Sequence, residues 1–428
     1  MNEPSLLDFI KAKLMPWKYS ISEEYLLYTL SEEEEFSINA GEVGVEEKDQ
    51  TIVFVTKLGK FKLAFALFFA IIGQFFLQPP DRNVPVAIAF FVLSLGLVTW
   101  VAFLKDPIFE YPDNIETKPL DIDLSSRKQY YLAASGILFI LAFFAFQKNS
   151  ANEVLFNFLN LSLWSLSLIF FLLAFLDFKW FDNFLNKCKQ IYYKKHISIK
   201  ITPWMILLIV ASILAIYFRF YRLNEVLGEM FSDHAEKLLD VYDVLNGKFP
   251  VFFVRNTGRE FFQFYWTAIL AIILNTGISF MSLKIGTALA GLLTLPYIYL
   301  LGKELRNKWV GLLAFLFAGI AYWPNVISRV GLRFPFYPLF AAPTLFYLIR
   351  GIRQKRRNDF IYSGIALGLG LHGYSSTRFL PIVVVVGVLL YLLHKQSKGF
   401  RNQTINAFIT LVMASFILFL PLFKFTFV

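Results

Sequence analysis

Residues 230–250, MFSDHAEKLLDVYDVLNGKFP, place Asp233, His234, Glu236, Asp240 and Asp243 directly after one of the most apolar runs in the chain. A carboxylate can take a proton from a hydroxyl during group transfer. Cationic partners lie further along. Arg259 stands beside Glu260 in NTGRE, Arg329 and Arg333 in RVGLR, and Arg378 in HGYSSTRF, four residues after Tyr374. A guanidinium grips phosphate or carboxylate with two hydrogen bonds. A carboxylate base beside such arginines suits transfer of a group from a lipid phosphate. The acid would take the acceptor's proton, and the cations would stabilise the phosphate that leaves.

The elements that must position these residues are helices. The pattern predicts one over 233–246, with Ser232 as N-cap and Asn246-Gly247 as the stop. At about 100° per residue, Asp233, Glu236, Asp240 and Asp243 share a stripe roughly 80° wide, opposite Leu238, Leu239, Tyr242 and Leu245. This predicts an amphipathic helix lying on a membrane with a wet acidic face. Such a helix needs no function, and that reading stands beside the catalytic one. Competing readings stand for the arginines too: a loop-fixing salt bridge for Arg259-Glu260, and interfacial snorkelling for Arg329 and Arg333. His234 and His372 could share a metal with a carboxylate, but two scattered histidines seldom do, and no metal is expected.

Composition supports a membrane setting. The chain has 428 residues, of which 57% are hydrophobic and 50 are Phe, with mean hydropathy +0.56. Apolar runs long enough to cross a bilayer recur along it. They begin near residues 61, 84, 130, 154, 203, 282, 309, 336, 360, 379 and 405, which predicts an all-α polytopic protein of about 11 spans. The first 50 residues carry a balance of −8 and no apolar signal-peptide segment, and the remainder carries +18. The basic residues punctuate the spans, as topology signals do, rather than forming a nucleic-acid surface. The single cysteine, Cys188, excludes an intramolecular disulfide and a multi-cysteine metal site. Three regions follow: an acidic cytoplasmic tail (1–56), a four-span membrane region (57–200) and a core (201–428).

The positive-inside rule orients the core. With the clusters KLGKFK, NKCKQIYYKKHISIK, GKELRNK, RGIRQKRRND and HKQSKGFRN in the cytoplasm, the segment 221–281 becomes one long external loop. The apolar run 261–277 then cannot cross without reversing every later cluster, so it is expected to lie shallow. Segments 323–336 and 372–379 fall on the same outer side. That side therefore collects the acids and Arg259, Arg329, Arg333 and Arg378, against the usual scarcity of arginine there.

From FRFYRLNEVLGEMFSDHAEKLLDVYDVLNGKFPVFFVRNTGREFFQFYWTAIL through SLKIGTALAGLLTLPYIYLLGKELRNKWVGLLAFLFAGIAYWPNVISRVGLR to GIALGLGLHGYSSTRFLP, the chain resembles the GT-C glycosyltransferases. It is most similar to bacterial members of the dolichyl-phosphate-mannose–protein mannosyltransferase group (glycosyltransferase 39), and also resembles the lipid A aminoarabinose transferases. The likeness covers roughly residues 201–390, through the order and spacing of several motifs. It implies transfer of a sugar from a polyprenyl-phosphate carrier to a hydroxyl, with inversion and no cofactor. The family's first external loop carries an acidic motif, usually Asp-Glu, whose Asp is the catalytic base. Asp233 fits that position, but the next residue is His234, with Glu236 two further on. Substrate-binding candidates are His234, Glu236, Arg259, Glu260, Arg329, Arg333, Tyr374 and Arg378.

The reading is therefore a mannosyltransferase-like enzyme of the cell membrane, multi-pass, with its active site on the external face. Its partners would be a polyprenyl-phospho-sugar, a protein, lipid or glycan acceptor, and membrane lipids, with no nucleic acid. A transporter or lipid flippase holding an anionic head group is the rival. Charges at mid-span would favour it, whereas here charge gathers at one face. A catalytically degenerate relative is a third option, suggested by His234. The sequence ends at LPLFKFTFV as the last expected span reaches outside, where many relatives continue, which fits an incomplete core.

Overall fold

The computed structural model describes residues 64–78, 82–103, 126–150, 152–176, 186, 189, 202–225, 228–255, 258–394 and 397–427. The acidic tail 1–56 and Cys188 lie outside the described residues. The chain divides into two compact units, Met1–Tyr111 and Pro112–Val428. The first holds helices α1 (Ala64–Phe75) and α2 (Val84–Phe103), joined by the Ser94 hydroxyl donating to the Ala66 carbonyl at 2.7 Å.

The second unit carries everything that concerns the site. Its elements are α3 (Ser126–Ala145), α4 (Phe158–Phe175), α5 (Pro203–Phe220), α6 (Ser232–Leu245), the short strands β1 (Phe252–Phe253) and β2 (Arg259–Glu260), and α7 (Phe262–Ile273). There follow α8 (Phe280–Leu305), α9 (Lys308–Ile320), α10 (Tyr322–Arg329), α11 (Phe336–Gln354), α12 (Arg357–Gly370), a 3-10 turn Ser375–Phe379, α13 (Leu380–Leu393) and α14 (Arg401–Phe427). The fold is all-α, with β1 and β2 pairing antiparallel as a single small hairpin.

Local chemistry explains where the helices begin. Thr202 caps α5 by accepting from Met205 N–H, with Pro203 preset at the first position. Asn157 and Asn160 cap each other's backbone at the start of α4, and Ser279 and Ser282 do so at α8. Asn307 accepts from both Trp309 and Val310 N–H to open α9.

Among the described residues a helix begins within a few residues of each of the eleven expected starts, but they differ in reach. Six are long and apolar enough to cross a membrane, or seven if the α9–α10 pair, bent by 54°, counts as one span. That is fewer than the expected eleven, because elements such as α12, at 14 residues, are short. Lipid-facing surfaces are plain on the long ones: Ile206, Ile209, Val210 and Ile213 of α5 are exposed, while Ala211 and Ala215 face α8 and α9. Gly364 and Gly368 lie one turn apart on α12 against α14; a Cβ at Gly364 would come within 2.3 Å of the Leu411 carbonyl. The close seam carries Ile361 and Ala414 into one core with Phe171 and Phe175 of α4.

The compact-unit division falls at Tyr111, so α3 and α4 share a unit with the core. Trp164 Nε1 donates to the Ile417 carbonyl at 2.7 Å. The α3–α4 connection pairs with the stretch after α6: Phe156 N–H donates to Phe249 O at 2.7 Å, and Val251 N–H to Val154 O at 2.9 Å. Lys248 adds an ion pair with Glu153 at 2.9 Å. These two helices thereby brace the loop that carries the acids.

Helix α7 covers the apolar run whose crossing was in question. Its 12 residues span only about 18 Å at roughly 1.5 Å per residue, well short of a hydrocarbon layer of about 30 Å. Cysteines placed at Lys248 and Ile278, with Cys188 replaced by serine, should label from the same side of a sealed membrane. Labelling from opposite sides would make α7 a crossing segment.

Candidate functional site

Helix α6 starts one residue earlier than its sequence suggests. Phe231 holds the N-cap position and Ser232 is the first helical residue, which corrects the expected Ser232 cap. The capping group is instead His234. Its Nδ1 accepts from Phe231 N–H at 3.3 Å, and its Nε2 donates to the Val330 carbonyl at 2.6 Å. These bonds require the neutral tautomer with the proton on Nε2. Burial lowers the imidazole's pKa, in keeping with that form. His234 is thus spent on backbone, pinning the start of α6 to the turn after α10. Gly331 makes that turn with φ +76°, a conformation side chains rarely adopt, and its carbonyl accepts from Gln263 Nε2 at 3.0 Å.

With the turn fixed between α6 and α7, five of the chain's polar side chains converge. Asp233, Lys237, Arg259, Arg333 and Tyr374 line a cavity of about 230 Å³, closed by Leu332 and Phe334. Asp233 sits in the first turn of α6, where the helix dipole favours a carboxylate. Its side chain is 44% exposed, and the Arg259 guanidinium approaches it at 3.8 Å. The same guanidinium reaches Asp240 at 3.4 Å, and Arg255 bridges Asp240 and Asp243 at 2.8 and 2.6 Å.

The acidic stripe is therefore not a wet face. Asp240 is 0% exposed, whereas Leu239 and Tyr242, on the apolar side of α6, are exposed. The stripe turns inward because Arg255 and Arg259 wait there, and the apolar side is left to the surroundings. Burial pushes the Asp240 carboxyl up, against the pull of Arg255 and Arg259.

Glu260 organises the other wall. Buried at the end of β2, it accepts from Arg333 at Oε2 and from Arg378 at Oε1, both at 2.8 Å. One carboxylate thus ties the turn before α11 to the 3-10 turn before α13. Arg333 also lies over the Tyr374 ring at 5.5 Å. Burial lowers the Arg333 pKa, with Glu260 opposing. Arg378 is 58% exposed and lines a second, apolar cleft of about 510 Å³ between α12, α13 and α14.

Besides His234, two expected site residues stand apart from the cavity. Arg329 donates to the carbonyls of Phe218, Tyr221 and Arg222 at 3.2, 2.8 and 3.1 Å, so it satisfies the C-terminal end of α5. Glu236 is half-buried and is not part of the cavity lining. Sequence reasoning passed over Lys237, Arg255 and the buried partnership of Asp240. The signal for Lys237 was its spacing, one helical turn after Asp233 on the same face.

Neither curated proteins nor solved structures gave a match to this chain. A family model did, that of the dolichyl-phosphate-mannose-protein mannosyltransferases, over residues 261–424. The matched stretch is under two-fifths of the chain; it includes Arg333, Tyr374 and Arg378 and begins just after Arg259 and Glu260. Over α7 to α14, which supply one wall of the charged cavity and all of the apolar cleft, the chain resembles a family of membrane glycosyltransferases.

Proposed function

We propose that the protein is an inverting membrane glycosyltransferase that moves a sugar from a polyprenyl-phosphate carrier to a hydroxyl acceptor at the external face. The observation that carries this is the pairing of one charged cavity with one apolar cleft, joined through Glu260. Asp233 and Arg333 share the cavity, Arg378 stands at the cleft, and Glu260 holds both arginines. A phosphate near the arginines would have an apolar slot for its chain and a carboxylate facing its sugar. Charge balance agrees. Lys237, Arg255, Arg259, Arg333 and Arg378 outnumber Asp233, Asp240, Asp243 and Glu260 by one, and a phosphodiester brings one negative charge.

In this reading Asp233 takes the proton from the acceptor hydroxyl as its oxygen attacks the anomeric carbon from the face opposite the phosphate. The carbon–oxygen bond to the phosphate breaks, and the electron pair leaves with the polyprenyl phosphate. Arg333 and Arg378 stabilise the charge that gathers there.

Purified protein given a panel of polyprenyl-phospho-sugars and a hydroxyl acceptor should release polyprenyl phosphate; no release from any donor would overturn the reading. Arg333→Ala should lower turnover by about 10²–10³-fold, the usual effect of removing one donor to developing charge. Glu260 would retain Arg378, so the protein should still fold. Unchanged kcat and KM in folded protein would remove Arg333 from the site.

A further inference from the structure

We propose that Lys237 is a phosphate-contacting residue whose ammonium takes a non-bridging oxygen of the carrier phosphate in the Asp233 cavity. The inference rests on the glycosyltransferase reading and assigns it a further cation. Lys237 lines the cavity although the residue is only 3% exposed. Its Nζ donates to the Asp233 carbonyl at 2.9 Å, one turn back along α6. An ammonium has three N–H donors, and this bond uses one.

The arginines in the cavity wall are already matched to carboxylates. Arg259 holds Asp240 and approaches Asp233, and Arg333 holds Glu260. An incoming phosphate must compete with those acids for either guanidinium. Lys237 gives its bond to a neutral carbonyl, so it can turn to an anion without breaking an ion pair. The spacing from Asp233 also fits: one helical turn separates base and ammonium, and a single rigid element would fix both relative to the substrate.

The groups facing Lys237 give the site a pH dependence. Asp233 and Asp240 come from its own helix, Arg259 from β2, and Arg333 from the turn before α11; Tyr374 completes the wall. Burial, together with Arg259 and Arg333 and against Asp233 and Asp240, lowers the ammonium pKa to about 8. The charged form binds phosphate, so affinity is full below that pH and falls above it.

The test uses farnesyl methyl phosphate, a diester that keeps one negative charge across the range, titrated into the full-length protein in detergent from pH 6.5 to 9.5. For the wild type, Kd should rise by up to about tenfold per pH unit above pH 8. Lys237→Arg, a cation that does not titrate here, should bind with a flat profile near the wild-type low-pH value. Lys237→Met should bind at least tenfold more weakly at pH 7, also with a flat profile. A flat wild-type profile, or Lys237→Met binding as tightly as wild type at pH 7, overturns the assignment while leaving the donor reading intact. Failure of all three proteins to bind the diester at any pH overturns the lipid-phosphate reading itself. The wild-type profile needs no variant to fold.

Discussion

Asp233→Asn is expected to lower sugar transfer by about 10²–10⁴-fold, the usual contribution of a positioned general base, while expression and thermal midpoint stay near wild type. Asp233 lies in the first turn of α6 and reaches into the cavity half-exposed, with Arg259 3.8 Å away. Asparagine keeps the shape and a hydrogen-bonding oxygen but cannot accept the proton. Arg259 still has Asp240, so no buried charge is stranded. Turnover measured beside donor binding decides the matter: full activity in the variant would end the base assignment, and lost binding would move Asp233 from chemistry to recognition.

Asp240→Asn should do the opposite, costing stability first. Its carboxylate is wholly buried between Arg255 at 2.8 Å and Arg259 at 3.4 Å. Removing one member of a buried ion network leaves the others uncompensated, at a cost of about 3–5 kcal/mol. The lower end applies here, because Arg255 is 37% exposed and water can screen it. Thermal unfolding in detergent should therefore show a much lower midpoint for Asp240→Asn than for Asp233→Asn. Equal midpoints would mean that the buried network contributes little, and that α6 is held by its apolar packing on Phe253, Phe264 and Ala268 instead.

The contrast between these two acids shows what the sequence could and could not reveal. Apolar runs and capping residues announced helices at each expected start, since both signals are local. The convergence of Asp233, Arg259, Arg333 and Tyr374 was also readable, because arginines gathered in segments expected to be external ask for a partner. Which way the acidic stripe faces was not readable. A helical wheel shows that Asp240 and Leu239 lie on different sides, but not which side meets protein, and Arg255 and Arg259 decide that from 15 and 19 residues away. Arg329 and His234 had the right residue types for a site yet serve backbone carbonyls at helix ends. Their partners lie about 100 residues distant, beyond any local pattern.

Glu260 accepts from residues 73 and 118 positions further along the chain. Synthesis runs from the N-terminus, so the carboxylate emerges long before either guanidinium does. During that interval the nascent polypeptide carries the acid without either of its guanidiniums. The clamp closes only when the turn bearing Arg378 has left the ribosome and the helices between have been inserted. A chain stalled or cut before that turn would keep the ion network of α6, whose charged groups all lie at or before Arg259, yet would lack the second arginine at Glu260 and the cleft that arginine lines. The full clamp, with both guanidiniums on one carboxylate, therefore requires the chain through Arg378.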